Sequence, residues 1–378
     1  MNPIRFALAS LALACVALAP QSPPAAPTAP AAAPKAPAPS GSSTFTPGMS
    51  GSAALQGWYT PEVSDAVAAF PEYLSKTPPF EGTLRISGSN SMAGLLTKLA
   101  TDYESVYPGV KVVVKEGGSS KGIAALKAGE CDMASVSRAL TEAEVKELEA
   151  SSGLKVFQVP IALDATCIYV NADNPLAGIT REQLNGIFSI THSLTKDPII
   201  RWNDLDKKSP LGDQFMPIYT LPESHGTMQA FYEFAMPGEQ LQTIMRFTEP
   251  GASSVVNACC AYPTALGISG YSNRQPRARA VPVAEGPGKP FVAPSFRSIR
   301  DRSYPMWRPM NLVVLAKDAE QVPALTRDFL RFTWSEAGQD ACATLGMVVV
   351  DLDRAPELVK DSVRQRFTDS TDAQPKLK

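Results

Sequence analysis

Two hydrophobic rhythms alternate along this chain. Residues 83–87 form a short apolar-rich run of strand type. Met92, Leu95, Leu96, Leu99, Tyr103 and Val106 then recur at the spacing of one helical face. Pro108-Gly109 stops that helix, and residues 110–114 are a β-branched strand. Gly117-Gly118-Ser119-Ser120 leads into a helix with Ile123 and Leu126 on one side, and residues 131–136 are a strand again. Thr141-Glu142-Ala143-Glu144 opens a third helix with a capping-box pattern. Further strands are predicted over 156–161, 166–170 and 312–316. Further helices are predicted over 181–188, 228–236 and 322–335, with a shorter one over 61–74. Strand, turn and helix repeated in this order specify a parallel α/β sheet. No internal repeat interrupts the pattern.

The two ends read differently. Arg5, the apolar run 6–14 and Ala17-Leu18-Ala19 make an export signal over 1–19, too short to span a bilayer. Two processing routes are open: cleavage after Ala19, which Pro20 hinders, or lipid modification of Cys15. Residues 20–47 hold nine prolines among alanines and serines and cannot build a core, so they read as a tether. Residues 48–81 form an N-terminal extension, and the charged tail 351–378 is an exposed helix that frays.

Of 378 residues, 44% are apolar and 19% charged, a globular composition with room for two domains. The formal charge of −2 leaves no cationic excess for nucleic acid. A bound anion must therefore be held by local donors. After Cys15, Cys131, Cys167, Cys259, Cys260 and Cys342 remain, with no C-x-x-C pair and with both histidines far from any cysteine cluster. No zinc site or cofactor is implied. One or two disulfides are open to these five thiols, as is burial of Cys131 and Cys167 as small hydrophobes.

Three strand-to-helix loops share one design: Gly88-Ser89-Asn90-Ser91, Gly117-Gly118-Ser119-Ser120 and Ser224-His225-Gly226-Thr227. A helix start offers unpaired N–H groups and the positive end of its dipole. Glycine admits an oxyanion to the backbone, and hydroxyls add rotatable donors.

The run 82–144 resembles the periplasmic phosphate-binding proteins, soluble receptors of phosphate ABC transporters. Gly88-Ser89-Asn90-Ser91-Met92 matches that family's first loop, Gly118-Ser119-Ser120-Lys121-Gly122-Ile123 its second, and Asp132 through Ser137-Arg138 its third. Pro160-Ile161-Ala162-Leu163-Asp164 is similar to the crossover strand. Ile187-Phe188-Ser189 with Arg201-Trp202-Asn203-Asp204-Leu205, Ala265-Leu266-Gly267-Ile268 and Tyr304-Pro305-Met306-Trp307-Arg308-Pro309 resemble later segments, over roughly 82–350. The resemblance implies a type II periplasmic-binding-protein fold: two α/β lobes, each a mostly parallel sheet flanked by helices, joined by two crossover hinge strands. Lobe I is 82–162 with 268–350, and lobe II is 163–267. It implies a non-enzymatic receptor that takes inorganic phosphate, or a related oxyanion, to an inner-membrane permease. It implies ligand contacts at Ser89, Asn90, Ser91, Ser119, Ser120, Ser137, Arg138, His225, Gly226 and Thr227.

The departures matter as much. The family's fourth loop carries a clamp arginine and a serine where this chain has Leu221 and His225. A charge-assisted contact is worth roughly 1.5–3 kcal/mol. Some members hold an aspartate where Ser137 stands, so rejection of sulfate is less secured here. Lys121, Arg138 and His225 are candidates for compensation, the last one strengthening binding below pH ~6.5 if protonated; the competing readings are a solvated surface lysine, an arginine paired with a nearby carboxylate and a structural N-cap histidine. The alternative is the same fold serving another oxyanion, or acting as a sensor or envelope scaffold. A hydrolase built on Ser224, His225 and Asp164 is disfavoured, because adjacent Ser and His seldom face each other and no Gly-x-Ser-x-Gly elbow occurs.

Overall fold

The computed structural model describes residues 58–361 except Thr77, and Val363. The export signal, Cys15, the tether, most of the extension and the end of the tail lie outside the described residues.

The chain enters through helix α1 (Pro61–Ala68), shorter than its pattern predicts because Phe70 turns into the core and Pro71 cannot continue it. The first body follows: β1 (Gly82–Gly88), α2 (Ala93–Val106), β2 (Val110–Glu116), α3 (Ser119–Lys127), β3 (Met133–Val136) and α4 (Glu142–Ser152). Thr141 caps α4 as its pattern demands: its Oγ1 accepts from the Glu144 N–H at 3.2 Å, and its N–H donates to the Glu144 carboxylate at 2.9 Å.

Strand β4 (Lys155–Asn171) holds the molecule together. The pattern predicts two strands here, over 156–161 and 166–170, but the chain stays extended for all 17 residues. Within the bridging stretch a buried Asp164 would be costly alone; its partner, Arg308, is directly opposite on β11 and cannot be seen from local sequence. From Ile161 onward every residue of β4 is buried, as in a strand covered on both faces.

The second body comprises β5 (Ile179–Thr180), α5 (Arg181–Phe188), α6 (Trp202–Leu205), β6 (Ile218–Thr220), α7 (Gly226–Ala235), β7 (Arg246–Thr248), α8 (Ala252–Ala261), β8 (Leu266–Gly270), β9 (Ala278–Ala280) and β10 (Val283–Ala284). The chain returns through α9 (Phe296–Arg300) and β11 (Trp307–Ala316), and ends on α10 (Ala324–Thr333) and α11 (Glu336–Thr344). The single helix predicted over 322–335 is thus followed by a second. Ser335 caps α11 by accepting from the Gly338 N–H at 3.3 Å, and Gly338 lets the two helices meet, since a Cβ there would lie 2.3 Å from the Phe332 carbonyl oxygen.

Strand order is β2-β1-β3-β11-β4-β8-β6-β7, with β9 also on β4. β2, β1 and β3 run parallel and β11 antiparallel between β3 and β4; β7, β6 and β8 run parallel, and β8 and β9 antiparallel to β4. β4 pairs with β11 up to Ala165 and with β8 from Thr166, so one strand serves two curled sheets. Ile268, where the sequence places the return crossing, lies mid-way along β8 and pairs with Ile168 in the second sheet.

The five cysteines past residue 130 are free thiols, four of them buried and Cys260 half-buried. Among the described residues no helix is long and apolar enough to cross a membrane.

Candidate oxyanion-binding site

Because β1, β2 and β3 are parallel, their C-terminal ends fall on one edge and their loops become neighbours. The Ser89 N–H donates to the Ser135 carbonyl and hydroxyl, both at 2.9 Å. This apposition needs glycine before it: Gly88 has φ +143°, and a Cβ there would sit 2.2 Å from the Ser135 carbonyl oxygen. The Gly117 N–H donates to Gly88 O and to Asn90 Oδ1, each at 3.0 Å, tying the second loop to the first. Ser119 Oγ accepts from the Ser137 N–H at 3.2 Å and lies 3.4 Å from Ser137 Oγ. Ser89, Ser119 and Ser137 are all buried.

The fourth loop arrives from the second sheet. His225 caps α7, its Nδ1 accepting from the Thr227 N–H at 3.2 Å. Gly226 packs against the third loop so closely that a Cβ would meet Ser137 Oγ at 2.0 Å. The Thr227 carbonyl is fixed by the Thr166 hydroxyl of β4 at 3.2 Å. Four loops from two sheets therefore converge. Beside them lies a cleft of about 370 Å³ lined by Asn90, Ser91, His225, Thr227, Arg308 and the start of α8 at Gly251 and Ala252, with Glu116 its one carboxylate.

Its donors are underused. Ser89 Oγ, Ser91 Oγ, Thr227 Oγ1 and Arg308 Nε are buried and have no hydrogen-bond partner in the protein. Leaving such a group unsatisfied costs ~1–3 kcal/mol, so the three on residues that line the cleft, Ser91, Thr227 and Arg308, with Ser89 in the loop beside them, mark a place built for an acceptor-rich guest.

Three residues depart from expectation. Ser120 is exposed and outside the cleft lining, one step around α3 from the buried Ser119. Arg138 is turned to Glu144, which it grips bidentately at 2.7 and 2.8 Å. It also donates to the Ala139 carbonyl, and its Nε donates to Gln229 Oε1 of α7 at 3.3 Å, so all of this guanidinium's nitrogens are engaged away from the cleft lining. His225 lines the cleft as a neutral ring. Burial first, and then the charge of Arg308, push its pKa from 6.5 down to about 4, which removes the expected gain in cationic character below pH ~6.5. With Nδ1 accepting, the neutral ring carries its proton on Nε2 as a donor. Lys121 stays exposed beside Gly117.

A Ser224–His225–Asp164 relay is not assembled. Asp164 accepts from Arg308 Nη2 at 2.8 Å and from the Ser272 N–H at 3.1 Å, and His225 Nδ1 is engaged by its own helix. Pattern reading missed Arg308 as a cleft residue. Its signal was the arginine in Tyr304-Pro305-Met306-Trp307-Arg308-Pro309, paired with an aspartate inside an otherwise apolar strand.

A fold of two curled, mostly parallel sheets with helix starts and hydroxyls gathered at their junction defines a solute-binding protein. The chain belongs to the PBP superfamily, whose domain profile matches residues 74–337. Among curated proteins it is similar to the phosphate-binding protein PstS of Pseudomonas aeruginosa. The two are 28% identical over 294 residues, which are 78% of this chain and 90% of that one. It is also similar to PstS of Staphylococcus epidermidis, 26% identical over 267 residues covering 69% and 77%. Among solved structures, an ABC-type phosphate transport receptor from Vibrio cholerae superposes with a TM-score of 0.57 at 25% identity, covering 70% of this chain and 99% of that one. The mixed α/β architecture is that of the type II phosphate-binding group.

Proposed function

We propose that this protein is an exported receptor that captures inorganic phosphate in the cleft and presents it to an inner-membrane ABC permease, binding without catalysis. The observation that carries this reading is the set of buried, unpartnered hydroxyls of Ser89, Ser91 and Thr227 around the helix starts where four loops converge. An enclosed tetrahedral oxyanion supplies acceptors to all of them at once. The relatives named PstS support phosphate as that anion.

The lobes we assign follow strand pairing: residues 82–165 with 307–350, and residues 166–284. This moves the outgoing boundary from Ala162 to the Ala165–Thr166 step and the return from Ile268 past β9, because β8 and β9 pair with the second half of β4. Export fits residues 1–19, and the mass of the mature N-terminus distinguishes cleavage after Ala19 from lipid anchoring through Cys15.

A second reading, another oxyanion in the same cleft, is favoured by Leu221. This residue is fully buried and apolar at the position of the family's clamp arginine. The test of both is to express the chain from Gly41, strip bound anion by partial unfolding, and titrate phosphate and then sulfate calorimetrically. Micromolar or tighter phosphate binding without a sulfate response is the expected result. Silence toward phosphate overturns the first reading, and a sulfate response in its place establishes the second. Disrupting the permease contact in cells should abolish uptake; unchanged uptake rules out the delivery role.

A further inference from the structure

Leu221 leaves the fourth loop without a guanidinium, and Arg138 of the third loop is held by Glu144. Among the described residues lining the cleft there is one arginine, Arg308. Arg308 stands at the second position of β11, opposite Asp164 of β4, at the point where that strand passes from one sheet to the other. Only 2% of it is exposed. Nη2 donates to Asp164 at 2.8 Å, Nη1 approaches the Ser137 carbonyl at 3.4 Å, and Nε has no partner. Arg308 therefore touches the third ligand loop through Ser137 and shares the cleft lining with Ser91, His225 and Thr227. Its charge is also felt at His225, whose titration it depresses after burial has done so.

Asp164 is not free to hold the arginine alone. It also accepts from the Ser272 N–H at 3.1 Å, and Gly270 is pressed against the pair, since a Cβ there would lie 2.8 Å from Asp164 Oδ2 and 3.4 Å from Arg308 Nη2. The guanidinium thus sits in a fixed place with donor capacity left over, which is what a bidentate oxyanion contact requires.

We infer that Arg308 is the anion-clamping guanidinium of this protein, recruited from β11 in place of the fourth-loop position that holds Leu221, with Asp164 positioning it. This rests on the oxyanion-receptor reading above. It gives the site one cation at the strand crossing, where both sheets meet, so the ligand's charge is read at the hinge and not at the tip of the second body.

The test is calorimetric titration with phosphate, together with thermal unfolding with and without phosphate, for the wild type, Arg308→Lys and Asp164→Asn. Arg308→Lys keeps a cation opposite Asp164 and removes the planar fork, so phosphate affinity should fall about ten- to a hundredfold. Asp164→Asn leaves the buried guanidinium without its counter-ion, so the apo protein should melt lower while phosphate raises its melting temperature by more than in the wild type. Equal phosphate affinity in wild type and Arg308→Lys, or an unchanged phosphate increment in Asp164→Asn, reduces the pair to a structural salt bridge and overturns the inference while the receptor reading stands. A wild type that takes sulfate in place of phosphate overturns only the choice of anion, and the same comparison is then made with sulfate. A wild type silent to both anions overturns both readings.

Discussion

Gly226→Ala probes whether the two bodies are as tightly apposed at the ligand loops as the geometry states. The added methyl would lie 2.0 Å from Ser137 Oγ, and Ser137 is fully buried. Non-bonded heavy atoms settle at roughly 3.5–4.0 Å, so the overlap is about 1.5 Å. Overpacking of this kind costs ~1–3 kcal/mol. Alanine's better helix propensity offsets well under ~1 kcal/mol of it at a first-turn position. For a chain of this size the melting temperature should fall by roughly 2–6 °C. Phosphate affinity should fall at least about tenfold, or ~1.4 kcal/mol, because relief of the clash moves the α7 N–H groups away from Ser119 and Ser137. The decisive assay is a double-mutant cycle with Ser137→Ala. Without that hydroxyl the nearest atoms to the methyl are Ser137 Cβ at 3.4 Å and Ser119 Oγ at 3.5 Å, ordinary contacts. Gly226→Ala should then be nearly neutral to stability. Additive effects within ~0.5 kcal/mol would mean that the two residues do not press on each other, and the apposition would be wrong.

Three more predictions test the remaining assignments. With His225 depressed from 6.5 to about 4, the unfolded chain takes up a proton in that window which the folded one refuses; stability should fall as pH drops from 6.5 toward 4, by roughly 3 kcal/mol in all, and His225→Asn should flatten the curve measured by denaturant melts. Glu144→Ala strands the buried Arg138 charge, so unfolding free energy should drop by ~3–5 kcal/mol while the phosphate affinity of the folded protein changes by less than about threefold; a large affinity loss would return Arg138 to the ligand. Ser91→Ala and Thr227→Ala should each cost ~0.5–1.5 kcal/mol of phosphate binding by calorimetry, whereas Ser120→Ala, an exposed position, should leave binding and stability unchanged.

Much of this was legible in the chain itself. Local rhythm located β1, α2, β2, α3 and β3 to within a few residues, because half-buried strands such as β1 and β2 and an amphipathic helix each write their period into consecutive positions, and β3 is a short continuous apolar run. Capping chemistry is equally local, which is why the Thr141–Glu144 box could be read directly. The candidate ligand loops followed from the same logic: Gly, Ser and Thr between a strand and a helix announce exposed N–H groups wherever they occur.

What local pattern could not supply were contacts between residues far apart in the sequence. β4 read as two strands, and only the partner 144 positions away, Arg308, lets the carboxylate of Asp164 stay buried within one continuous strand. Arg138 could have faced the cleft or paired with a nearby carboxylate, and only the fold decided for Glu144; His225 looked like a pH-responsive donor until burial and Arg308 kept its ring neutral. Even the boundary between the bodies depended on which strands β4 pairs with. Sequence by itself determined the elements and the chemistry each loop could offer, since both depend on neighbours a few residues apart. Tertiary structure alone decided which donors are buried, which charges cancel and which remain facing the cleft, because desolvation and ion pairing depend on distance in space.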